Sequence, residues 1–315
     1  MSQCIEDAFE HRASRRLPRG ELWIGSNVFF ERGTSDDVNA RVDLCRQMGM
    51  DFLALPVGAG YCAPSCYRGF GVEDIDIAER SGLFVVAVVS GPFQRLVDRC
   101  GLYSALATIG KDLDATRETM CDEAKEMLSL VDKCTGHGAR AIVIADDLAY
   151  NGGTFVHPRV VDTLISPLHR RLVDAIHDCG TYAVFHSDGD ISAILSGVIA
   201  AGFDGLSHEP EAVEPFPTIP GYGGSITLLG GLTQRLLQSP SLPPKDEQHF
   251  INTVRALHED GGLILTSSSG IHTSGMLGNL RNLYHRVDEA LQHKDQGAVS
   301  AHSTGERRWV TTEHP

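Results

Sequence analysis

Two residues apart in the run AVFHSDG, from Ala183 to Gly189, stand an imidazole and a carboxylate, His186 and Asp188. The run opens with apolar β-formers and closes on polar residues, the profile of a buried strand with an open end. An unpaired polar group in an apolar interior costs about 2–7 kcal/mol, so the pair belongs at the strand's carboxyl end. Residues i and i+2 of a strand face the same way, and His186 and Asp188 can therefore converge on one ligand or ion. The alternative is that His186 is a hydrogen-bonded rim residue and Asp188 the N-cap of the helix expected after Gly189.

The design recurs along the chain. RAIVIADD ends on Asp146 and Asp147 with Tyr150 just beyond, FDGLSHEP carries His208 and Glu209, and LILTSSS leads through Ser267, Ser268 and Ser269 to His272. Adjacent strand residues point to opposite faces, so one of Asp146 and Asp147, and one of His208 and Glu209, faces the centre. Asp147 and Glu209 are preferred, the latter because a carboxylate completes a hard site. Imidazoles and carboxylates gathered on one face make either a hard-cation site or an acid/base site. CAPSC, with Cys62 and Cys66, is a looser metal-site pattern. His137, His169, His177 and His258 fall on helix faces and read as solvated.

Bringing these residues together requires parallel strands that all end on one side. ELWIG, DFLALP, LFVVAVVSG, RAIVIADD, YAVFHSD, FDGLSHEP, SITLLGGL and LILTSSS read as eight strands. Helical stretches separate them: SDDVNARVDLCRQMG, a long one from Phe93 to Gly138 broken near Gly101 and Gly110, one with Pro167 inside it, and MLGNLRNLYHRVDEALQH at the end. This alternation predicts a single-domain α/β protein, a (β/α)8 TIM barrel, whose catalytic residues lie at the strands' carboxyl ends. A doubly wound open sheet is the other fold considered, but GSNVF after the first strand lacks its glycine-rich phosphate loop. The expected boundaries are a polar N-terminal arm over 1–16, the barrel over 17–293 and a mobile polar tail over 294–315.

Composition narrows the partners. The 315 residues carry a formal net charge of −14, which argues against a nucleic-acid groove. Hydrophobic residues at 42% and charged residues at 22% are ordinary globular values, and no apolar run approaches the ~20 residues needed to span a membrane. The opening MSQCIEDAFEHRASRR has no apolar signal region, so a cytoplasmic protein is expected, and the eight cysteines read as reduced thiols.

HSDGDISAILSGVIAAGFDGLSHEPE resembles the HxCGN strand–helix–strand block of the uroporphyrinogen decarboxylase superfamily. ADDLAYNGGTFVHPRVVDTLISPLHRRLVDAIHDCG, SGPF at Ser90 and SSSGIHTSGMLGNLRNLY at Ser267 are similar to further blocks, in register from about Leu17 to His293. The resemblance implies a (β/α)8 barrel and one of two branches. The decarboxylases of haem synthesis clamp a polycarboxylate with an arginine-rich N-terminal block, but no arginine follows the first expected strand in RLPRGELWIGSNVF.

The other branch is the zinc methyltransferases that work with a corrinoid protein. Its zinc ligands are the histidine and cysteine of HxC and a later cysteine before Gly-Ile. This chain keeps the histidine as His186 but has Asp188 and Ser269 at the cysteine positions. Replacing thiolates by carboxylate makes a harder, more Lewis-acidic ion, suited to polarising an ether- or amine-type methyl donor rather than holding a thiol. The implied function is transfer of a methyl group from a small methoxy or similar donor to the cobalt(I) of a corrinoid protein. Zn2+ would be held by His186, Asp188 and Glu209, with Asp147 or His208 assisting, and Tyr150 and His272 would serve the departing oxygen. Two other functions are considered: a metal-free lyase using Asp147, Tyr150 and His186, and a non-catalytic barrel that docks the corrinoid protein.

Overall fold

The computed structural model describes residues 3–12, 14, 16–58, 67–208, 226–239, 241, 243–259, 261–267 and 269–301. Seven of the eight expected apolar runs form one parallel sheet: β1 (Phe52–Pro56), β2 (Phe84–Ser90), β3 (Ala141–Ala145), β6 (Tyr182–Ser187), β7 (Gly205–His208), β8 (Thr227–Leu232) and β9 (Leu263–Ser267), in that order. Between β3 and β6 a short antiparallel hairpin, β4 (Ala149–Tyr150) and β5 (Gly153–Thr154), stands outside the sheet. The sheet curls, so both faces are covered, one by helices and the other by its own inward side chains. In β3, Ala141, Val143 and Ala145 belong to the inner core, whereas Ile142 and Ile144 pack outward under the helices.

The expected first strand, Glu21 to Gly25, does not form. Residues 18–25 cross the gap between β9 and β1 with two isolated bridges, Arg19 to Leu265 and Ile24 to Ile271, and no ladder closes the sheet into an eight-stranded barrel. Backbone bonds hold the segment at a few points, such as Leu265 N–H to Pro18 O at 2.8 Å and Ile271 N–H to Trp23 O at 2.9 Å, and side chains supplement them. Ser267 donates its backbone N–H to Glu21 Oε2 at 3.1 Å, and Arg19 donates its own to Asp51 Oδ2 at 3.0 Å. Pro18, at the start of the segment, has no N–H to offer a ladder.

The floor of the sheet is plugged by the helix Gln3–Phe9, whose Ile5, Ala8 and Phe9 are buried. Phe9 stacks on Tyr182 with ring centroids 4.4 Å apart, and Thr227 Oγ1 donates to Ala8 O at 2.9 Å. On the outside, the long stretch after β2 divides into helices Pro92–Cys100, Leu102–Lys111 and Leu113–Gly136, broken at Gly101 and Asp112. Ahead of the helix Ser166–Asp178, with Pro167 in its first turn, lies a π turn over Val161–Ile165. The last helix runs Ser274–Ala301, past residue 293. No described helix is long and apolar enough to cross a membrane.

Candidate metal centre

Strand register lays the base of the site. Ser90 pairs with Ala145, Ala145 with His186, and His186 with Ser207, giving one rung across four strands at their carboxyl ends. His186 shares the inward parity of Val184 and is 4% exposed. Its Nδ1 lies 3.1 Å from Ser207 Oγ, which fixes the ring and turns Nε2 toward the mouth. The Trp23 ring packs on the same imidazole at 5.2 Å between centroids.

Above this rung two carboxylates converge. Asp147 and Asp188 join His186 in a group whose ligand atoms all lie within 4.8 Å of one another. His186 Nε2 is 3.7 Å from Asp188 Oδ1, and the Asp188 backbone N–H donates to Asp147 Oδ1 at 3.1 Å. Ser187, pointing outward, ties the two strand ends together. It accepts from Leu148 N at 3.0 Å and donates to Asp188 O at 2.9 Å. Asp188 caps no helix: the next one is Leu195–Ala200, and the intervening turn is held by Asp190, which accepts from Ser192 N.

Asp146, with the opposite parity, points away from the mouth. It is fully buried, accepting from Gln94 N at 2.7 Å and facing His169 Nε2 at 2.7 Å. His169 is therefore not solvated; it is 1% exposed. His137 is half-buried against Asp76, and His177, though exposed, lies 2.8 Å from Asp204. A solvated-face reading fails for His169 and for the half-buried His137, each set beside a carboxylate, and holds for the exposed His177.

The donor set suits a divalent ion such as zinc, which takes imidazole nitrogen and carboxylate oxygen alike. Two carboxylates and one imidazole supply three protein ligands and leave a fourth position open, the arrangement of catalytic rather than structural zinc. Tetrahedral zinc separates its ligand atoms by about 3.3 Å, so modest side-chain rotation closes the group around an ion. The imidazole already has its second nitrogen hydrogen-bonded, as metal-bound histidines usually do.

The remaining expected site residues lie around this centre. Tyr150, on β4, is 52% exposed and stacks on Phe155 at 5.4 Å, while its carbonyl accepts from Asp190 N at 3.0 Å. His272 Nε2 is 2.9 Å from Ser269 O, and a carbonyl only accepts. Nε2 therefore carries hydrogen, so a neutral His272 presents Nδ1 as an acceptor and donates from it only when charged. Its ring touches Tyr67 at 5.7 Å, which touches Trp23 at 5.3 Å, so a row of rings leads from His272 to His186. Ser269 thus serves the ring row through its carbonyl. His208 pairs with Ser187 in the sheet register. Glu209, Ser268, Cys62 and Cys66 lie outside the described residues.

Sequence reasoning missed four contributors. Ser207 could have been found from strand parity, since it occupies an inward position near a strand end, whereas Trp23 lies in the irregular segment before Gly25 and parity does not reach it. Tyr67 lies in the sequence GAGYCAPSCYRGFG, which has no apolar periodicity, and gave no signal. Asp98, on the helix Pro92–Cys100, accepts from Ser90 Oγ at 3.2 Å and from Gln94 Nε2 at 2.8 Å. Burial pushes its carboxyl up, the negative charge of Asp147 pushes the same way, and those two hydrogen bonds oppose the shift. It is a third acid at the mouth.

Comparison with solved structures shows the fold widely. A methyltransferase from Methanosarcina mazei superposes with a TM-score of 0.67 at 16% identity, covering 91% of this chain and 98% of its own. An L-ribulose 3-epimerase gives 0.56 at 10% identity, covering 93% and 100%. A D-psicose 3-epimerase from Clostridium cellulolyticum gives 0.50 at 11%, covering 87% and 96%. No curated protein matches the sequence. The model of one family, uroporphyrinogen decarboxylase (URO-D), matches residues 77–290, a span that contains Asp147, His186, Asp188 and Ser207 and more than half of the chain. The chain belongs to the uroporphyrinogen decarboxylase (URO-D) family.

Proposed function

We propose that this protein is a metal-dependent methyltransferase that moves a methyl group from a small methoxy or similar donor to a corrinoid protein. The observation that carries the reading is the convergence of Asp147, His186 and Asp188 at the strand ends of a URO-D-family sheet. The methyltransferase from Methanosarcina mazei among its structural neighbours supports it.

Asp147, His186 and Asp188 would hold zinc, which when bound supplies Lewis acidity to the donor's leaving heteroatom. With His186 Nδ1–H donating to Ser207 Oγ, Nε2 would be free for ligation. The ring row of Trp23, Tyr67 and His272 gives the mouth an apolar flank that keeps bulk water from one side of the centre. Asp98 stands at the rim, and its raised affinity for a proton suits it to pass one to the departing group. Tyr150, on the hairpin and with its carbonyl accepting from Asp190 N, would offer a phenol hydroxyl as a second donor. A polar mouth that has no Lys or Arg on the described strand ends favours a small, uncharged or cationic donor over a polyanion.

The test is methyl transfer from methoxy donors to reduced cobalamin, followed by its absorbance change, before and after exhaustive chelation. The reading expects transfer that chelation abolishes and added zinc restores. A metal-free lyase would keep its activity after chelation, and a docking barrel would bind a corrinoid protein without transferring methyl from any donor.

A further inference from the structure

His169 stands behind the sheet, yet it contacts the residue that precedes each of two site residues. Its Nε2 is 2.7 Å from Asp146 Oδ2, and its ring meets Phe185 edge-on at 5.5 Å. Asp146 precedes Asp147 just past the end of β3, and Phe185 precedes His186 on β6, its neighbour in the sheet. Strand alternation makes the outward pair the back of the inward pair.

Asp146 is held from further sides. Its Oδ1 accepts from Gln94 N at 2.7 Å, and its backbone N–H donates to His186 O at 2.9 Å. A side chain at Gly91 would run into its carboxyl. An imidazole and a carboxylate buried this deeply are expensive where leucine would pack equally well, since the helix Ser166–Asp178 otherwise buries Leu168, Leu172, Val173 and Ile176. A π turn, a feature frequent at functional sites, precedes that helix.

We propose that His169 is a positioning residue for the Asp147–His186–Asp188 centre. Through Asp146 it fixes the peptide that carries Asp147, and Asp147 in turn accepts the Asp188 N–H. The donated hydrogen matters here, because an ionised carboxylate only accepts. The inference rests on the metal reading only for the second of its two readouts.

The first readout is amide hydrogen exchange by NMR in His169→Met, which keeps the packing and loses the donor, and in His169→Gln, whose amide nitrogen reaches as far as Nε2. In His169→Met the Asp188 amide is expected to exchange about 10-fold faster, while the Val143 amide in the middle of β3 is unchanged. In His169→Gln both amides are expected within about 2-fold of the wild type. His169→Asn, too short to reach Asp146, is expected to match His169→Met and serves if that variant does not fold. Unchanged exchange at Asp188, or acceleration of Asp188 and Val143 together, overturns the proposal.

The second readout is zinc affinity by chelator competition, expected to weaken about 10-fold in His169→Met and to recover in His169→Gln. A wild-type protein that takes up no zinc contradicts the metal reading, and the exchange comparison still decides the role of His169.

Discussion

Asp147 and Asp188 are carried by different strand ends and joined by one hydrogen bond, from the Asp188 backbone N–H to Asp147 Oδ1 at 3.1 Å. That bond draws two carboxylates toward the same imidazole. Like charges so placed repel unless a cation lies between them. Asp188→Asn should therefore separate affinity from stability. Zinc binding is expected to fall about 100-fold or more, while the metal-free protein melts at the same temperature or higher. Isothermal titration and thermal unfolding of the metal-free form check both halves; a drop in melting temperature with zinc binding intact would contradict the assignment.

Ser207 orients His186 through Nδ1, at 3.1 Å. Ser207→Ala leaves the sheet and the ligands in place but frees the ring to turn. Zinc affinity is expected to fall about 10- to 100-fold, as for other partners of metal-bound histidines, with Ser207→Thr retaining most of it. Chelator competition on the three proteins measures this.

Glu21 is fully buried, and burial pushes its carboxyl up from 4.5 to about 7, against hydrogen bonds from Ser267 and Tyr284 that pull it down. Between those values the folded chain keeps a proton that the unfolded chain has released. Stability is therefore fully present below the lower value and declines as pH rises through the upper one. The loss amounts to up to about 3 kcal/mol. Glu21→Gln should remove that slope. Urea unfolding at about pH 5 and about pH 8 checks it, and an equal decline in the variant would contradict the burial argument.

Phe9 closes the floor of the sheet on Tyr182 and Phe84. Phe9→Ala should cost about 3–5 kcal/mol through the cavity it leaves. Zinc affinity should not change, because the floor and the centre lie at opposite strand ends. The urea midpoint and a zinc titration separate the two effects.

Seven of the eight strands were legible because short apolar runs such as FVVAVVS and AIVIA are rich in β-branched residues and too short for a helix. The eighth was not. ELWIG reads as a strand, but Glu21 is a buried side chain that takes the Ser267 N–H a ladder would have used. The placement of His186, Asp147 and Asp188 follows from period-two alternation. The status of His169 and Asp146 does not, since their pairing joins a helix face to a strand end 23 residues away in sequence. The Gln3–Phe9 plug was hidden for a similar reason: a seven-residue run set among charged residues reads as a polar arm until the floor it fills is known.

The central claim is that Asp147, His186 and Asp188 hold a divalent ion. Elemental analysis of protein purified with zinc present, beside a His186→Ala variant of matching melting temperature, tests it most directly. The account predicts about one tightly held zinc per wild-type chain and essentially none in the variant. Wild-type protein that emerges metal-free, or a variant that retains the same zinc, would contradict it.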